Sequence, residues 1–367
     1  MALPVLNVAD AKIGLLKSGS PAVPFQGTWG TAEVDGDDAL ELSGIVEEID
    51  PDYTKNAGDA ALTGTRNDDK VNHHTTTYYS APAFEYKSRE HIGVLKDEIH
   101  VFAAMHLQNV DSEGVSTPHL KTMTPHDTGP DHTVNAGYIG SFVFRKPTVA
   151  SSYKIADVIC AEKLGFSIDP GGYLQMSATC RGRGAIARSS NPSGTWARAA
   201  QLEAATASDL FHFGRINMTV DYAGSDNAVT VVGNTSWETT RAMVKVGHDG
   251  TGKFQNWGYG KFGGIFSTIL NYDAHTLAIQ AEIDDNDDAL IEFIIGWDGG
   301  GVAATMPDGT EDGDLKWVLN VHVNEAKDIA GENGIAACQI SGMIVGDKVN
   351  SIEPYTLTIA DAQDAGY

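Results

Sequence analysis

The chain has 367 residues, with 49 Asp plus Glu against 25 Lys plus Arg and a formal net charge of −24. So acidic a surface repels phosphate backbones, which argues against nucleic-acid binding though not against DNA passing nearby. With 42% hydrophobic residues and 40 glycines the chain can build a sizeable core, while no stretch approaches the roughly 18 uninterrupted apolar residues of a bilayer helix.

At the start, Met1 to Ser20 carries Asp10 and Lys12 where a signal peptide would have an apolar run, so folding in a cytoplasm is expected. Glu33 to Asp52 then holds nine acidic residues and no Lys or Arg, Glu33, Asp35, Asp37 and Asp38 among them, as Glu282 to Asp314 later holds eleven and none. The plain reading of both is solvated surface, which adaptation to high salt would also produce. Alternation with period two predicts strands at Ala39 to Ile49, Ala81 to Lys87 and Gly137 to Lys146. Between the last two, Ser88 to Gln108 places Ile92, Leu95, Ile99, Phe102 and Ala103 at spacings of three and four. That pattern predicts an amphipathic helix lying on a sheet, with Ser88 as its cap. Its histidines, His91, His100 and His106, share no single i, i+4 face and read as surface residues rather than metal ligands.

Farther on, Tyr173 to Arg181 alternates Leu174, Met176, Ala178 and Cys180 against polar residues, and Asp169-Pro170-Gly171-Gly172 supplies a turn back to the strand ending at Phe166 and Ile168. A hairpin is predicted there. From Pro170 to Leu202 there is no acid but four arginines, Arg181, Arg183, Arg188 and Arg198, among Gly, Ser, Asn and Pro. This stretch reads as an extended loop or cationic arm, able to dock on another copy's acidic face, or as a solvated linker. The break near Arg188 to Ala207 marks the domain boundary, giving residues 1–195 and 196–367. Further strands are predicted at Arg215 to Tyr222, Ala228 to Gly233, His275 to Ile283, Ala289 to Trp297, Lys316 to Val323, Gly334 to Val345 and Tyr355 to Ile359. The fold class is therefore mainly β, antiparallel, with glycine-rich turns.

Chemical motifs are few. Gly247-His-Asp-Gly-Thr-Gly252-Lys253 matches seven positions of a phosphate-binding loop, but Phe254 stands where the magnesium-holding hydroxyl belongs, so a hairpin turn is expected. Gly258-Tyr-Gly260-Lys-Phe-Gly263 lacks the βαβ unit that would make a dinucleotide fingerprint. Asp284-Asp285-Asn286-Asp287-Asp288 begins like a calcium loop, yet Ala289 replaces the turn glycine and Ile295 the bidentate glutamate. The histidines at His73, His74, His119, His126 and His132 follow no ligand spacing. Cys160, Cys180 and Cys338 are odd in number and dissimilar in context, and read as buried thiols. No nucleophile elbow or zinc-protease motif is present, so neither an enzyme nor a cofactor or metal is expected.

The order of elements is more telling: an acidic N-terminal strand region, Ala83-Phe-Glu-Tyr-Lys running into the helical segment, His132-Thr-Val-Asn-Ala-Gly-Tyr, the strand Ile139 to Phe144, and the pair Tyr153 to Ile159 and Leu174 to Gly182. In this plan, over residues 30 to 360, the chain resembles the tail tube (major tail) proteins of long-tailed bacteriophages. The resemblance implies a β-sandwich or barrel with a flanking helix that assembles into stacked six-domain rings whose inner strands join as one barrel. It implies partners such as a tape measure protein, a tail terminator and distal tail or baseplate proteins, in a virion tail assembled in a host cytoplasm. The length favours two such domains in tandem and a trimeric, pseudo-hexameric ring, with a true hexamer as the alternative. A tube conducting DNA must not bind it, so lumen carboxylates would serve, repelling phosphates over a Debye length of about 8 Å. Glu282, Asp284, Asp285, Asp287 and Asp288, and with them Glu33, Asp35, Asp37 and Asp38, are the candidate lumen or rim residues. Residues 50–74, 111–132 and the Arg-bearing stretch after Arg181 have lengths suited to contacts between rings. Two other readings stand beside this one: a decoration or baseplate protein, and a carbohydrate-binding β-sandwich using Trp237, Trp257 and Trp297 as a platform.

Overall fold

The computed structural model describes residues 12–16, 25, 39–50, 54–59, 73–78, 81–113, 118–130, 137–145, 152–183, 187–189, 196–198, 210–222, 224–247, 254–284, 290–299, 306–330 and 336–361. In chain order the elements are β1 (Lys12–Leu16), β2 (Ala39–Leu42), β3 (Ile45–Asp50), β4 (Thr54–Asp59), β5 (His73–Tyr78), β6 (Ala83–Lys87), α1 (Lys96–Leu107), β7 (Gln108–Glu113), β8 (His119–Pro125) and β9 (Gly140–Arg145). They continue with β10 (Ser152–Ile168), β11 (Gln175–Arg181), β12 (Ala187–Ser189), β13 (Trp196–Arg198), β14 (Asn217–Asp221), β15 (Asp226–Val229), β16 (Thr235–Val246) and β17 (Asn256–Asn271). The last are α2 (Ala274–Asp284), β18 (Ile291–Trp297), β19 (Leu315–Ala330), β20 (Ala336–Ile344) and β21 (Tyr355–Asp361). The protein is mainly β and antiparallel with a flanking helix, as its alternating sequence requires. No helix among the described residues is long and apolar enough to cross a membrane.

Two long strands organise the sheets. The first half of β10 pairs with β9 and β12 in a sheet ordered β13-β2-β1-β9-β10-β12, while its second half pairs with β11 and β16. Asp157 and Glu162, at φ 53° and 71°, turn the strand between the two sheets. Such left-handed backbone is uncommon for non-glycine residues, and register shifts at both places mark bulges that bend the strand. In the same way, β19 gives its first half to β18 and β21 and its second half to β20. β14 and β15 extend from β18, and Val231 bridges to Leu270, closing a circuit β14-β15-β17-β20-β19-β18. The β7–β8 hairpin adds to β21, and β4–β5 forms a separate two-stranded sheet. Two of the loops expected for ring contacts, at 50–74 and 111–132, thus contain strand.

Strand pairing crosses the boundary expected near residue 195, through β10 with β16 and β8 with β21. One apolar cluster contains Phe84, Phe102 and Phe142 from one side and Trp237, Trp297 and Trp317 from the other. Trp237 and Trp317 rings meet at 5.0 Å and 67°, while Trp317 Nε1 donates to Tyr355 Oη at 2.7 Å and Trp297 Nε1 to His212 O at 3.0 Å, which satisfies those two indole N–H groups. Full burial of each large side chain contributes about 1.5–3 kcal/mol.

Two expectations are corrected. The helix expected from Ser88 begins at Lys96, because Gly93 sits at φ +75° and breaks the run. Ser88 Oγ instead donates to Gln175 Oε1 at 2.9 Å and accepts from Met176 N at 2.8 Å, tying β6 to β11. The helix N-terminus is capped by Glu98, whose carboxylate accepts from Leu95 N at 3.1 Å and from Ser43 N. Nor does α1 lie on a sheet with one face open, since every residue of it except Asp97 is buried, with Phe102 stacked 4.4 Å from Tyr86. The second correction is His275 to Ile283, predicted as a strand and found in α2. Its alternating apolar residues also fit spacings of three and four, Thr276 and Ile279 being buried while Leu277 stays about half exposed (49%). Asp273 Oδ1 decides the outcome by accepting from His275 N at 2.9 Å and Thr276 N at 3.2 Å, an N-cap on a run of Ala, Leu, Gln and Glu. Replacing Asp273 with Ala is expected to cost about 1 kcal/mol of stability in urea denaturation, with the loss confined to the unfolding free energy and no change in its slope.

Candidate functional site

One sheet presents its outer face without cover from any described element. In the order β3-β6-β11-β10-β16-β17-β20-β19, a single transverse row of paired residues runs through all eight strands: Ile45, Lys87, Ser177, Gly165, Glu238, Ile265, Met343 and His322. The next row holds four serines on four successive strands, Ser167, Ser236, Ser267 and Ser341, each the register partner of the next. These rows line a groove of about 630 Å³. Beneath it, the opposite face of the same strands supplies Phe166, Trp237 and Phe266 to the core. The alternation of the strand thus sets small polar groups outward over large apolar groups inward. Ile265 (61% exposed) and Met343 (46%), direct cross-strand partners, are exposed apolar residues on this face.

Charge on the groove face is balanced. Lys163 Nζ lies 2.8 Å from Glu238, Arg181 Nε 3.0 Å from Glu162, Lys327 Nζ 3.3 Å from Glu325 and Lys87 Nζ 3.9 Å from Glu85. Each pair stabilises little, but each keeps a cation beside a carboxylate. Both edges of the sheet lack a partner strand among the described residues: β3 pairs only with β6, and β19 beyond Val323 only with β20.

The sequence-selected residues fall elsewhere or outside the described set. Glu33, Asp35, Asp37, Asp38, Asp285, Asp287 and Asp288 lie outside the described residues, as does His132. Glu282 and Asp284 end α2, not a strand. Gln280 of that helix donates to Asp328 Oδ1 at 2.8 Å and reaches Cys338 Sγ, and Asp328 and Cys338 point away from the groove, so α2 packs on the other face of the sheet. The remaining acid of Glu282 to Asp314 also sits away from the groove, with Glu292 on β18 held above the usual carboxylate range by burial and by Asp226 and Asp221. Asp314 is structural, its carboxylate accepting from the backbone of Gly299, Gly309 and Glu311.

The expected arginine arm is corrected too. Arg181 lies in β11 and pairs with Glu162, Arg183 Nε donates to Phe254 O at 2.6 Å, and Arg188 and Arg198 belong to β12 and β13. Sheet pairing claims Arg181, Arg188 and Arg198, while 184–186, 190–195 and 199–202 of the stretch lie outside the described residues. At the phosphate-loop match, β16 and β17 pair up to Val246 with Asn256 and Phe254 is buried, in accord with a hairpin; the glycine repeat at 258–263 lies within β17. The sugar platform is overturned, because Trp237, Trp257 and Trp297 are 1%, 4% and 1% exposed. No group of three His, Cys, Asp or Glu that could hold a metal occurs among the described residues. All three cysteines are buried and free.

Of the helix histidines, only His91 is at the surface; His100 and His106 are buried. Around His100 lies a charged cluster that joins the two ends of the chain's fold: Lys96 Nζ contacts Asp312 at 2.9 Å and Asp361 at 3.3 Å, and Lys121 Nζ contacts Asp361 at 3.2 Å. Burial, helped by Lys121 and Lys96 and opposed by Asp361, lowers His100 to about 3, and burial raises Asp97 to about 6 against the pull of Lys96. These groups escaped sequence reading because only the three-dimensional pairing of α1, β8 and β21 encloses them. Neither a protein-family model nor a curated protein matches the chain.

The two groups act on stability in opposite directions. The neutral His100 contributes stability that is present above its ordinary 6.5 and is lost as pH falls toward about 3. Asp97 contributes stability that is complete below its ordinary 3.8 and is lost as pH rises through about 6. Comparison with His100→Gln isolates the first. Between pH 7 and pH 5 the wild type is expected to lose about 2 kcal/mol relative to the variant in urea denaturation.

Proposed function

We propose that the chain is a structural virion protein that assembles edge to edge into rings, stacked as a phage tail tube through which double-stranded DNA passes. The observation that carries this reading is the eight-stranded sheet whose two edges are unpaired, and whose polar face is uncovered, among the described residues. Its strands alternate in direction across the whole row, so β3 at one edge and β19 at the other run oppositely. When β19 of one copy meets β3 of the next in a rotationally symmetric ring, the new pair is antiparallel, like every pair within the sheet. Closing the ring removes both edges, which otherwise invite uncontrolled pairing.

Strand number bears on stoichiometry. Three copies contribute 24 strands, and at a spacing of about 4.8 Å and a tilt of about 40° these close at a diameter of about 48 Å. Side chains leave a passage wide enough for one duplex. Six copies would roughly double that bore, so the trimer is the reading favoured here. The wall would be the groove face, a surface of serines and paired charges that presents no unopposed row of cations to a phosphate backbone. Weak sliding contact then comes from paired charge and hydroxyl hydration rather than from acid. A tape measure protein, a tail terminator and distal tail proteins are the partners this reading implies.

Negative-stain electron microscopy and sedimentation of the purified chain across salt and concentration test the reading. Rings or striated tubes with threefold symmetry are expected, increasing with salt as the charge between copies is screened. Lys327→Pro on the free half of β19 is expected to leave far-ultraviolet circular dichroism unchanged and to abolish rings. Monomers under all conditions, or rings unaffected by edge substitutions on both β3 and β19, would overturn it.

A further inference from the structure

We propose that Cys160 and Cys180 are a redox modification site that closes to an internal disulfide, stapling β10 to β11, when the protein meets a small-molecule disulfide such as oxidised glutathione. The two residues are direct partners in the antiparallel register of these strands, and both are free and fully buried. Opposed residues in such a pair have Cβ atoms about 4.5–5.5 Å apart, and a disulfide needs about 3.5–4.5 Å, so a small local approach suffices. β10 can make it. Immediately beyond Cys160 the register jumps from the Cys160 and Cys180 pair to Leu164 and Ala178, with Glu162 left-handed within the bulge.

The surroundings distinguish the two sulfurs. The His106 ring sits between the strands, its Nδ1 3.2 Å from Cys160 O and its Nε2 3.1 Å from Thr239 Oγ1. Burial pushes the Cys160 thiol up, but hydrogen bonds from Cys180 and His106 outweigh it and draw the thiol below its ordinary range, while burial and the neighbouring Cys160 drive Cys180 up. Cys160 is therefore the attacking thiolate and Cys180 the resolving thiol. Cys160 sulfur attacks one sulfur of the small disulfide, forming a mixed disulfide and expelling one thiolate. Cys180 sulfur then attacks Cys160 sulfur in that mixed disulfide, expelling the second thiolate. The two cysteine protons pass to the two leaving thiolates, so the protein pair loses two electrons and two protons and the oxidant becomes two thiols. Cys338, on β20 beside Gln280, has no cysteine partner and stays reduced.

The test equilibrates the full chain with oxidised and reduced glutathione, once as the native protein and once during refolding from urea. Samples are quenched in acid, alkylated under denaturing conditions and mapped by mass spectrometry. The expected product lacks two hydrogens, yields a linked peptide pair containing Cys160 and Cys180, carries the alkyl group on Cys338 and reverts with dithiothreitol. Cys180→Ser is expected to stop at a glutathione adduct on Cys160. Because refolding exposes every thiol, burial cannot account for a negative result. Alkylation of all three cysteines in both arms, or a disulfide that includes Cys338, would overturn the proposal.

Discussion

Sharing one strand between two sheets is the constraint from which the rest of this structure follows. β10 is 17 residues long, and a strand of that length cannot stay straight and serve sheets facing different ways. Its left-handed residues Asp157 and Glu162 and its two bulges break the pleat where the partners change. The arrangement puts β9 and β12 on one side of the bend and β11 and β16 on the other, leaving a space that α1 fills on all sides. β19 repeats the device without a left-handed residue, bending through a register shift between Val323 and Glu325. Because both long strands are shared, the main apolar cluster draws on both halves of the chain.

The same constraint creates the uncovered face. Once β10 commits its second half to the eight-stranded sheet, Phe166, Trp237 and Phe266 point into the shared core and the serine row must point out. A sheet packed on one side only is ordinary for antiparallel architecture, but eight strands whose two edges have no partner among the described residues are a liability in isolation. Paired charges such as Lys327 with Glu325 lie at one edge and offer limited protection against pairing. An even number of alternating strands makes the two edges mutually complementary, and this is why edge-to-edge closure is preferred here over a binding role for the groove.

How much of this was legible in the sequence depended on whether a local pattern had a competitor. Strands such as β11 and β21 were legible because their alternation was uninterrupted and nothing else fitted. The region of β2 and β3 read as one strand, whereas Ser43 and Gly44 divide it: Gly44 N donates to Tyr86 Oη at 2.8 Å, and a Cβ there would fall 2.3 Å from the Tyr86 ring. That close approach comes from β6, more than 40 residues away, and no local signal reports it. α2 failed for the opposite reason, its residues fitting both periods until the Asp273 cap is considered. The arginine stretch was misread because composition suggests a loop wherever Gly, Ser and Pro gather, while β12 and β13 are set by partners distant in sequence. The groove face had no motif at all, since four serines separated by 31 to 74 positions become a row only through register.

Acidity shows most clearly how composition and placement part company. Read along the chain, the carboxylates between Glu282 and Asp314 looked like one surface, yet those among the described residues divide among the end of α2, β18 and the turn that Asp314 holds together. Some of that acid serves the fold itself, as Asp314 accepts three backbone N–H groups and Asp312 contacts Lys96. Among the described residues, Glu282 and Asp284 at the end of α2 and Glu292 on β18 lie away from the groove. Like charge there repels between copies over about a Debye length, whereas backbone hydrogen bonds act only at contact. In the proposed ring, repulsion between acidic surfaces, beside a face of paired charges and two complementary edges, would favour edge pairing over other contacts. On this view the net charge directs assembly by excluding other contacts, a role that needs no carboxylate at the wall of the passage.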